Sequence, residues 1–270
     1  MTDQLRRAEA FRNQHLHGDL VLPNCWDAAS ARVFQTAGFS AVATTSAGVA
    51  WARGARDGEG LDREAMMREI ATIARSLDLP LNADVEAGYG ASTTDAAETA
   101  RQAWAAGAVG INFEDADYAA PGELTTISAQ QARIAAIREA APDLVINART
   151  DVFLLGLGDD EDHRIHMAIE RGRAWLDAGA DVVFLPGTTD RAIVRRLADG
   201  IRGPISLMAG PDAPTAKTLF EAGACRISTG PYPMQAMLER LKTLADGLVD
   251  DWAVMKPAGD GLTKIGSVFG

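Results

Sequence analysis

Asn82-Ala83-Asp84-Val85-Glu86-Ala87-Gly88-Tyr89-Gly90 is the stretch on which the reading of this chain turns. Residues 81–83 have the character of a short buried strand's end. Two carboxylates at alternate positions follow, and then a glycine-rich turn. Alternate residues of a strand point the same way, so Asp84 and Glu86 are expected to converge just past the strand's end. Two carboxylates held together repel unless a cation or a proton lies between them. Hard oxygen ligands in such a place suit Mg²⁺ or Mn²⁺, which keep several waters and take few protein ligands. An acidic strand-to-helix loop without a ligand would look the same in isolation. The pattern repeats, however, at Glu114-Asp115, after the apolar run Gly110-Ile111-Asn112-Phe113. Two such ends in one chain point to a shared acidic face.

Working outward, apolar runs recur at 20–23, 41–44, 81–83, 110–113, 144–147, 182–185, 205–208 and 225–228. Between them lie Ala-, Arg- and Glu-rich stretches with helical spacing, among them 63–77 (capped by Asp62), 128–140 and 163–178. The joints ahead of the second to eighth runs alternate in kind: Gly38, Pro80, Gly107, Pro142, Gly179, Pro204, Gly223. Glycine takes the left-handed conformation that ends a helix, and proline cannot continue one. Strict alternation of strand and helix with short joints gives a parallel sheet. Eight units without a composition break predict a single (β/α)8 barrel over residues 1–270, with a C-terminal helical extension from about 232 to 270. A doubly wound open sheet is the runner-up. It normally carries a glycine-rich dinucleotide turn after its first strand, where this chain has Asn24-Cys25-Trp26-Asp27.

The chain has 270 residues, 47% of them hydrophobic, enough for one large core. A formal net charge of −11 argues against nucleic acid or an anionic membrane as partner. No apolar run reaches the ~20 residues of a membrane span. Residues 1–17 are charged throughout, lack the apolar region of a signal peptide, and read as a surface helix leading into the first strand. Only two cysteines, Cys25 and Cys225, are present, so no disulfide framework is expected and a reducing cytoplasm is the natural setting.

In such a barrel the active site lies at the C-terminal strand ends. Those ends carry Asn24 and Asp27; Thr45 and Ser46; Asp84 and Glu86; Glu114 and Asp115; Asn147, Arg149 and Asp151; then Ser228 and Thr229. The strand starts carry almost nothing polar, and the ends Pro186-Gly187 and Ala209-Gly210 are bland. Asp84, Glu86 and Glu114 form the expected metal cluster. Asp57, on the long loop after the second run, is a candidate acceptor behind it, although a loop aspartate is more often a cap or a solvated charge. Arg149 follows Asn147 at alternate spacing, so both are expected to face the mouth. Its fork suits a substrate carboxylate; an ion pair with Asp151 or Glu114 is the alternative, and both can hold together. The small residues Thr44-Thr45-Ser46-Ala47-Gly48 let backbone N–H groups approach an anion, and a tight turn explains them equally well. No lysine follows, as a phosphate loop would require. His15, His17, His163 and His166 all lie away from strand ends, which argues against a histidine-based zinc site or a Ser-His-Asp triad.

With these residues in view, the chain resembles the isocitrate lyase/phosphoenolpyruvate mutase superfamily. The landmarks are Pro23-Asn24-Cys25-Trp26-Asp27-Ala28-Ala29-Ser30-Ala31-Arg32, the 84–90 stretch, 110–115, Asn147-Ala148-Arg149-Thr150-Asp151 and Gly179-Ala180-Asp181. The resemblance covers most of the chain and is to the small bacterial members. It implies a barrel whose last helix is swapped between paired subunits, in a dimer or tetramer. It implies Mg²⁺ on Asp84 directly, with Glu86 and Glu114 mostly through water. It implies a 2-oxo acid on the metal, its carboxylate held by backbone at Thr45, Ser46 and Ala47 and its far end by Arg149. The shared chemistry is cleavage or formation of a bond next to a pyruvate enolate.

Three departures shape the expected reaction. Family lyases carry Lys-Lys-Cys-Gly-His after the fourth strand, whose cysteine is the acid/base. This chain has Asp117-Tyr118-Ala119-Ala120-Pro121-Gly122-Glu123-Leu124 there, which counts against isocitrate or methylisocitrate cleavage. The lysine and asparagine of the mutases and phosphonopyruvate hydrolases are missing from the same loop. The aromatic residue before the Ser-Gly run is Ala43 here, and the second acid of the Asp-x-Asp pair is Glu86, so a roomier pocket is expected. The expected function is therefore metal-dependent C–C bond cleavage of a 2-oxo acid or dicarboxylate. It includes oxaloacetate-type decarboxylation, whose CO₂ leaving group asks least of the protein. P–C bond chemistry on phosphonopyruvate is the alternative, and a 2-oxo acid binding protein without turnover is the alternative from another class.

Overall fold

Strands form where the apolar runs predict them, and helices fill every interval. The computed structural model describes residues 2–248, 251–255 and 268. The order is α1 (Asp3–His17), β1 (Leu20–Leu22), β2 (Asn24–Cys25), α2 (Ala28–Thr36), β3 (Val42–Thr44), α3 (Ser46–Ala52), α4 (Arg63–Arg75), β4 (Leu81–Asp84) and α5 (Thr93–Ala105). There follow β5 (Gly110–Glu114), α6 (Ile127–Ala140), β6 (Val145–Arg149), α7 (Glu161–Asp177), β7 (Val182–Leu185), α8 (Arg191–Ile201), β8 (Ile205–Met208), α9 (Ala216–Glu221), β9 (Arg226–Ser228), α10 (Tyr232–Gly247) and a 3₁₀ turn, Trp252–Met255. The strands pair in parallel in the order β1-β9-β8-β7-β6-β5-β4-β3-β2.

Nine strands replace the expected eight because Pro23 divides the first. Proline has no N–H to give to a ladder, so β1 pairs with β9 and β2 with β3, one on each side of the break. The Pro23 carbonyl still accepts from Ala43 N–H at 2.9 Å. The two halves together complete a (β/α)8 barrel. Side-chain caps set the helix starts. Asp62 accepts from Ala65 N–H at 2.7 Å ahead of α4. Asp160 accepts from His163 N–H at 2.7 Å, so α7 begins at Glu161, two residues before the periodicity alone suggests.

The larger apolar cluster lies between sheet and helices and includes Met66 and Ile70 of α4, Ile134 and Ile137 of α6, and Trp175 of α7. Each such side chain contributes roughly 1.5–3 kcal/mol of burial. The N-terminal helix differs from the surface helix expected. Ala8 and Phe11, one turn apart, share a face and are buried with Leu20, Leu22, Ala41, Ala43, Val109 and Val145 as a second cluster, while Ala10 and Leu16 stay exposed. The expected extension to 270 includes 249–250, 256–267 and 269–270, which lie outside the described residues. No described helix is long and apolar enough to cross a membrane.

Candidate active site

Three strand ends supply the acids, and each is oriented by its own partners. Asp84 closes β4, and its N–H donates to Thr44 Oγ1 at 2.8 Å. Ser46 donates twice to Asp84 Oδ2, from N–H at 3.1 Å and from Oγ at 3.0 Å. Ser46 Oγ also lies 3.5 Å from Oδ1 of Asp57, which is exposed at the rim. Thr45 caps α3, with Gly48 N–H on its Oγ1 at 3.4 Å. A Cβ on Gly48 would come within 2.6 Å of Thr45 Cγ2, so the small-residue run is needed to make this turn. Ala47 follows Ser46 in the first turn of α3, buried.

Beyond Asp84 the strand gives way to a left-handed turn. Glu86, Gly88, Tyr89 and Gly90 have φ of 51°, 89°, 56° and 152°. For Glu86 and Tyr89 this conformation costs roughly 1–3 kcal/mol each. The turn brings Glu86 inward, where its Oε2 accepts from Glu59 N–H. Its Oε1, like Asp84 Oδ1, is buried without a hydrogen-bond partner. Burial pushes the Glu86 carboxyl up to about 8, against the Glu59 N–H, and the nearby Asp84 adds to the rise. Burial raises Asp84 too, outweighing Arg149 and Ser46.

Glu114 ends β5 and Arg149 ends β6, and the ladder sets them side by side. Arg149 Nη1 lies 2.5 Å from Glu114 Oε2, and Nε lies 2.5 Å from Asp151 Oδ1. Nη2 donates to Asp151 Oδ2 at 2.9 Å. Burial opposes the Arg149 charge, but Glu114 and Asp151 outweigh it and hold the guanidinium above its usual range. The other Glu114 oxygen accepts from the Tyr118 hydroxyl. Burial and Glu114 push this phenol up, so it keeps its proton. Asp115 turns away from the mouth. It accepts from Asp151 N–H at 3.0 Å and from Arg171 Nη1 at 2.9 Å, tying the loops after β5 and β6 together.

Asn147 lies deeper than Arg149. Two residues of strand rise span roughly 6.6 Å, which sets its side chain inside the barrel. Asn112 Oδ1 accepts there from Asn147 Nδ2 at 2.8 Å, Asn82 Nδ2 at 3.0 Å and Arg226 Nη2 at 3.0 Å. Burial lowers Arg226 to about 9. This polar layer contradicts the expectation of apolar strand starts. The mouth thus brings together Thr45, Ser46, Asp57, Asp84, Glu86, Glu114 and Arg149, with Asn147 one layer below. Sequence reasoning missed Glu59, whose signal was its place between Gly58 and Gly60. It also missed Tyr118, a phenol on the loop where the resemblance points to cysteine, lysine or histidine.

The donor set fits a divalent cation. Two carboxylate oxygens are buried and unpartnered on neighbouring side chains. No three His, Cys, Asp or Glu side chains form a ready-made ligand group among the described residues. Mg²⁺ commonly uses one or two carboxylates and keeps water. The two Glu114 oxygens are engaged by Arg149 and Tyr118.

Residues 11–249 match the family model described as phosphoenolpyruvate phosphomutase. An uncharacterized protein of Mycobacterium tuberculosis is 34% identical over 230 residues, 85% of this chain and 84% of that protein. The 2-methylisocitrate lyase of Bacillus subtilis is 31% identical over 197 residues, 70% of this chain and 62% of that enzyme. A lyase/mutase candidate solved from Burkholderia cenocepacia superposes with a TM-score of 0.90 at 35% identity, over 99% of this chain and 98% of that one. A family model that matches residues 11–249 and a relative 34% identical over 85% of the chain show the family: the chain belongs to the phosphoenolpyruvate phosphomutase family, within the PEP mutase/isocitrate lyase superfamily.

Proposed function

We propose that this protein is a Mg²⁺- or Mn²⁺-dependent carbon–carbon lyase acting on a 2-oxo acid, decarboxylation of an oxaloacetate-like dicarboxylate included. One observation carries the reading: Asp84 Oδ1 and Glu86 Oε1 are buried and unpartnered at the mouth that also holds the Arg149 guanidinium. Asp84 and Glu86 would hold the cation, and Glu114 would act through water. When bound, the cation supplies Lewis-acid stabilisation of negative charge developing on oxygen.

The remaining tasks fall to the chain. Ser46 fixes one Asp84 oxygen with two hydrogen bonds and so presents the other. Of the backbone donors expected to hold the near carboxylate, Thr45 N–H donates to Cys25 O and Ser46 N–H to Asp84, which leaves that task to Ala47. Arg149 offers its fixed charge to the far one, and Asn147 supports the floor. Asp57 is an acceptor on the solvent side of Ser46. Loop 117–124 brings no cysteine, lysine or histidine. A reaction that releases CO₂ needs no acid for its leaving group, and the carbanion can take a proton from water.

The name of the Bacillus subtilis relative supports C–C cleavage. The family description favours a second reading, P–C bond chemistry on phosphonopyruvate. Both are tested by following pyruvate from oxaloacetate, and pyruvate or phosphoenolpyruvate from phosphonopyruvate, in a single turnover with Mg²⁺ and with chelator. Metal-dependent pyruvate from oxaloacetate alone supports the lyase. Release from phosphonopyruvate alone supports the second reading. Metal-dependent thermal stabilisation without product from either leaves a binding protein and refutes turnover. The reading extends to a cytoplasmic homo-oligomer, dimer or tetramer, with a helix exchanged between subunits. Its support is the exposed apolar set Met237, Leu238 and Leu241 on α10, with Trp252 and Met255 beyond it.

A further inference from the structure

Every carbonyl of the turn 87–90 is taken by a side chain from the helix layer. Thr99 Oγ1 of α5 donates to Gly88 O at 2.8 Å, and Arg63 Nη2 of α4 donates to Tyr89 O at 3.0 Å. Arg133 Nη2 of α6 donates to Ala87 O and, at 2.9 Å, to Gly90 O. Arg133 is only 3% exposed, its guanidinium lies 4.7 Å over the Phe113 ring, and it makes no ion pair among the described residues. Its Nη1 donates to Gln130 Oε1 at 3.0 Å. Gln130, 0% exposed, donates in turn from Nε2 to Glu114 O at 2.9 Å. One buried pair, a turn apart on α6, therefore grips the backbone beside Glu86 and the backbone of Glu114.

Burying a guanidinium without a carboxylate is expensive, and an apolar side chain of similar volume would serve packing better. The charge makes sense if its donors hold a backbone that would not hold itself. Glu86 and Tyr89 are such a backbone, both left-handed without being glycine. A Cβ on Gly88 would meet Phe113 at 2.8 Å, so the turn is pressed against the same ring that carries Arg133. We infer that Gln130 and Arg133 are positioning residues for the metal site, setting the separation of the Glu86 and Glu114 carboxylates from behind. The inference rests on the reading that these acids serve a divalent cation.

The test is Mn²⁺ titration followed by electron paramagnetic resonance, with melting of each metal-free variant alongside. Arg133→Met and Gln130→Met should each weaken Mn²⁺ binding by about 10–100-fold, as loss of partners behind ligands does. Arg133→Lys should recover part of that loss. Because the two residues act in series, the double variant should bind little worse than Arg133→Met. Arg138 of α6 supplies the control, since it grips Gly179 O at 3.1 Å and Pro142 O at 2.8 Å, away from the mouth. Arg138→Met should lower the melting temperature and keep Mn²⁺ affinity. Should Arg133→Met fail to fold, Gln130→Met decides. Wild-type affinity in the foldable positioning variants, or an equal loss in Arg138→Met, overturns the inference and leaves the metal reading standing. A wild-type protein that does not bind Mn²⁺ overturns both.

Discussion

Replacing Arg149 by lysine separates two tasks that one side chain performs. The guanidinium reaches Glu114 at 2.5 Å through Nη1 and spans both Asp151 oxygens, at 2.5 and 2.9 Å, through Nε and Nη2. A single ammonium keeps the charge and cannot reproduce that fork. The side chain is 17% exposed, so solvent screens these contacts weakly. Hydrogen bonds to charged groups are worth about 1.5–3 kcal/mol each, and removing one partner of a buried pair outright costs about 3–5 kcal/mol. With the charge retained, a loss of about 2–4 kcal/mol is expected. At this chain length that lowers the melting temperature by roughly 4–7 °C. The proposed substrate role adds a second, independent signature. Oxaloacetate has a far carboxylate and pyruvate lacks one, so Arg149→Lys should weaken oxaloacetate by about one to two decades more than pyruvate. Calorimetric titration of both acids with Mg²⁺ reads the second effect, and ligand-free melts read the first. Equal losses for the two acids would refute the far-end role. An unchanged melting temperature would refute the structural one.

Asp84→Ala should abolish Mg²⁺-dependent ligand binding in calorimetry while circular dichroism shows an intact barrel; retained metal dependence would remove Asp84 from the site. Replacing both Cys25 and Cys225 by alanine should leave the chemical step largely intact, because both thiols are buried and burial pushes them up, keeping them protonated. Loss of turnover in a folded Cys25→Ala protein would show that a thiol serves as acid or base after all. His15 gives a pH prediction. It is buried beside Phe11 O, and burial first, then Arg226, push it from 6.5 down to about 3. The unfolded chain takes a proton that the folded one refuses, so its contribution is full above pH 6.5 and falls toward pH 3, by at most about 5 kcal/mol. His15→Leu should flatten the acid limb of urea-melt stability, and an unchanged slope would show that His15 does not set it.

What the sequence disclosed follows from the range of the forces involved. Strands, caps and the alternating glycine and proline joints are local, so runs, breaks and helix starts could be read within a few residues. Pro23 divided a strand by the rule that bars proline from a ladder, a local signal that the eight-run count passed over. The N-terminal helix was misread because its apolar residues are few, and only the barrel end opposite shows how they are used. Strand periodicity holds as far as Asp84; Glu86 reaches the mouth through a left-handed turn that the glycines at 88 and 90 announce. The partners of these acids were beyond local reasoning. Arg149 had two candidate acids, and the structure engages both. Arg226 meets Asn82 across 144 residues of chain, so no window of sequence contains the contact. Gln130 and Arg133 look like the polar face of an ordinary helix until α6 is laid against the ends of β4 and β5.

The charge arrangement at the mouth explains why these distant contacts matter. Asp84, Glu86, Glu114 and Asp151 are buried there, with Asp115 buried behind them. Glu114 and Asp151 share Arg149, and Asp115 has Arg171. Asp84 and Glu86 have no guanidinium within ion-pair reach among the described residues, and each keeps one oxygen unpartnered. A fold optimised for stability alone would match this pair or expose it. Instead Ser46 and Glu59 hold one oxygen of each acid, and three helices hold the backbone that follows Glu86, residues 87–90, in a conformation it would otherwise leave. That is an arrangement in which rigidity is supplied around a charge deficit rather than used to remove it. In the proposed reading the deficit is made good by a cation that binds only the folded chain, which would stabilise it by about 2.7 kcal/mol at a hundredfold excess over Kd. The strain in the turn and the burial of two unpaired carboxylates then have one cause, the need to present two oxygens to the same ion.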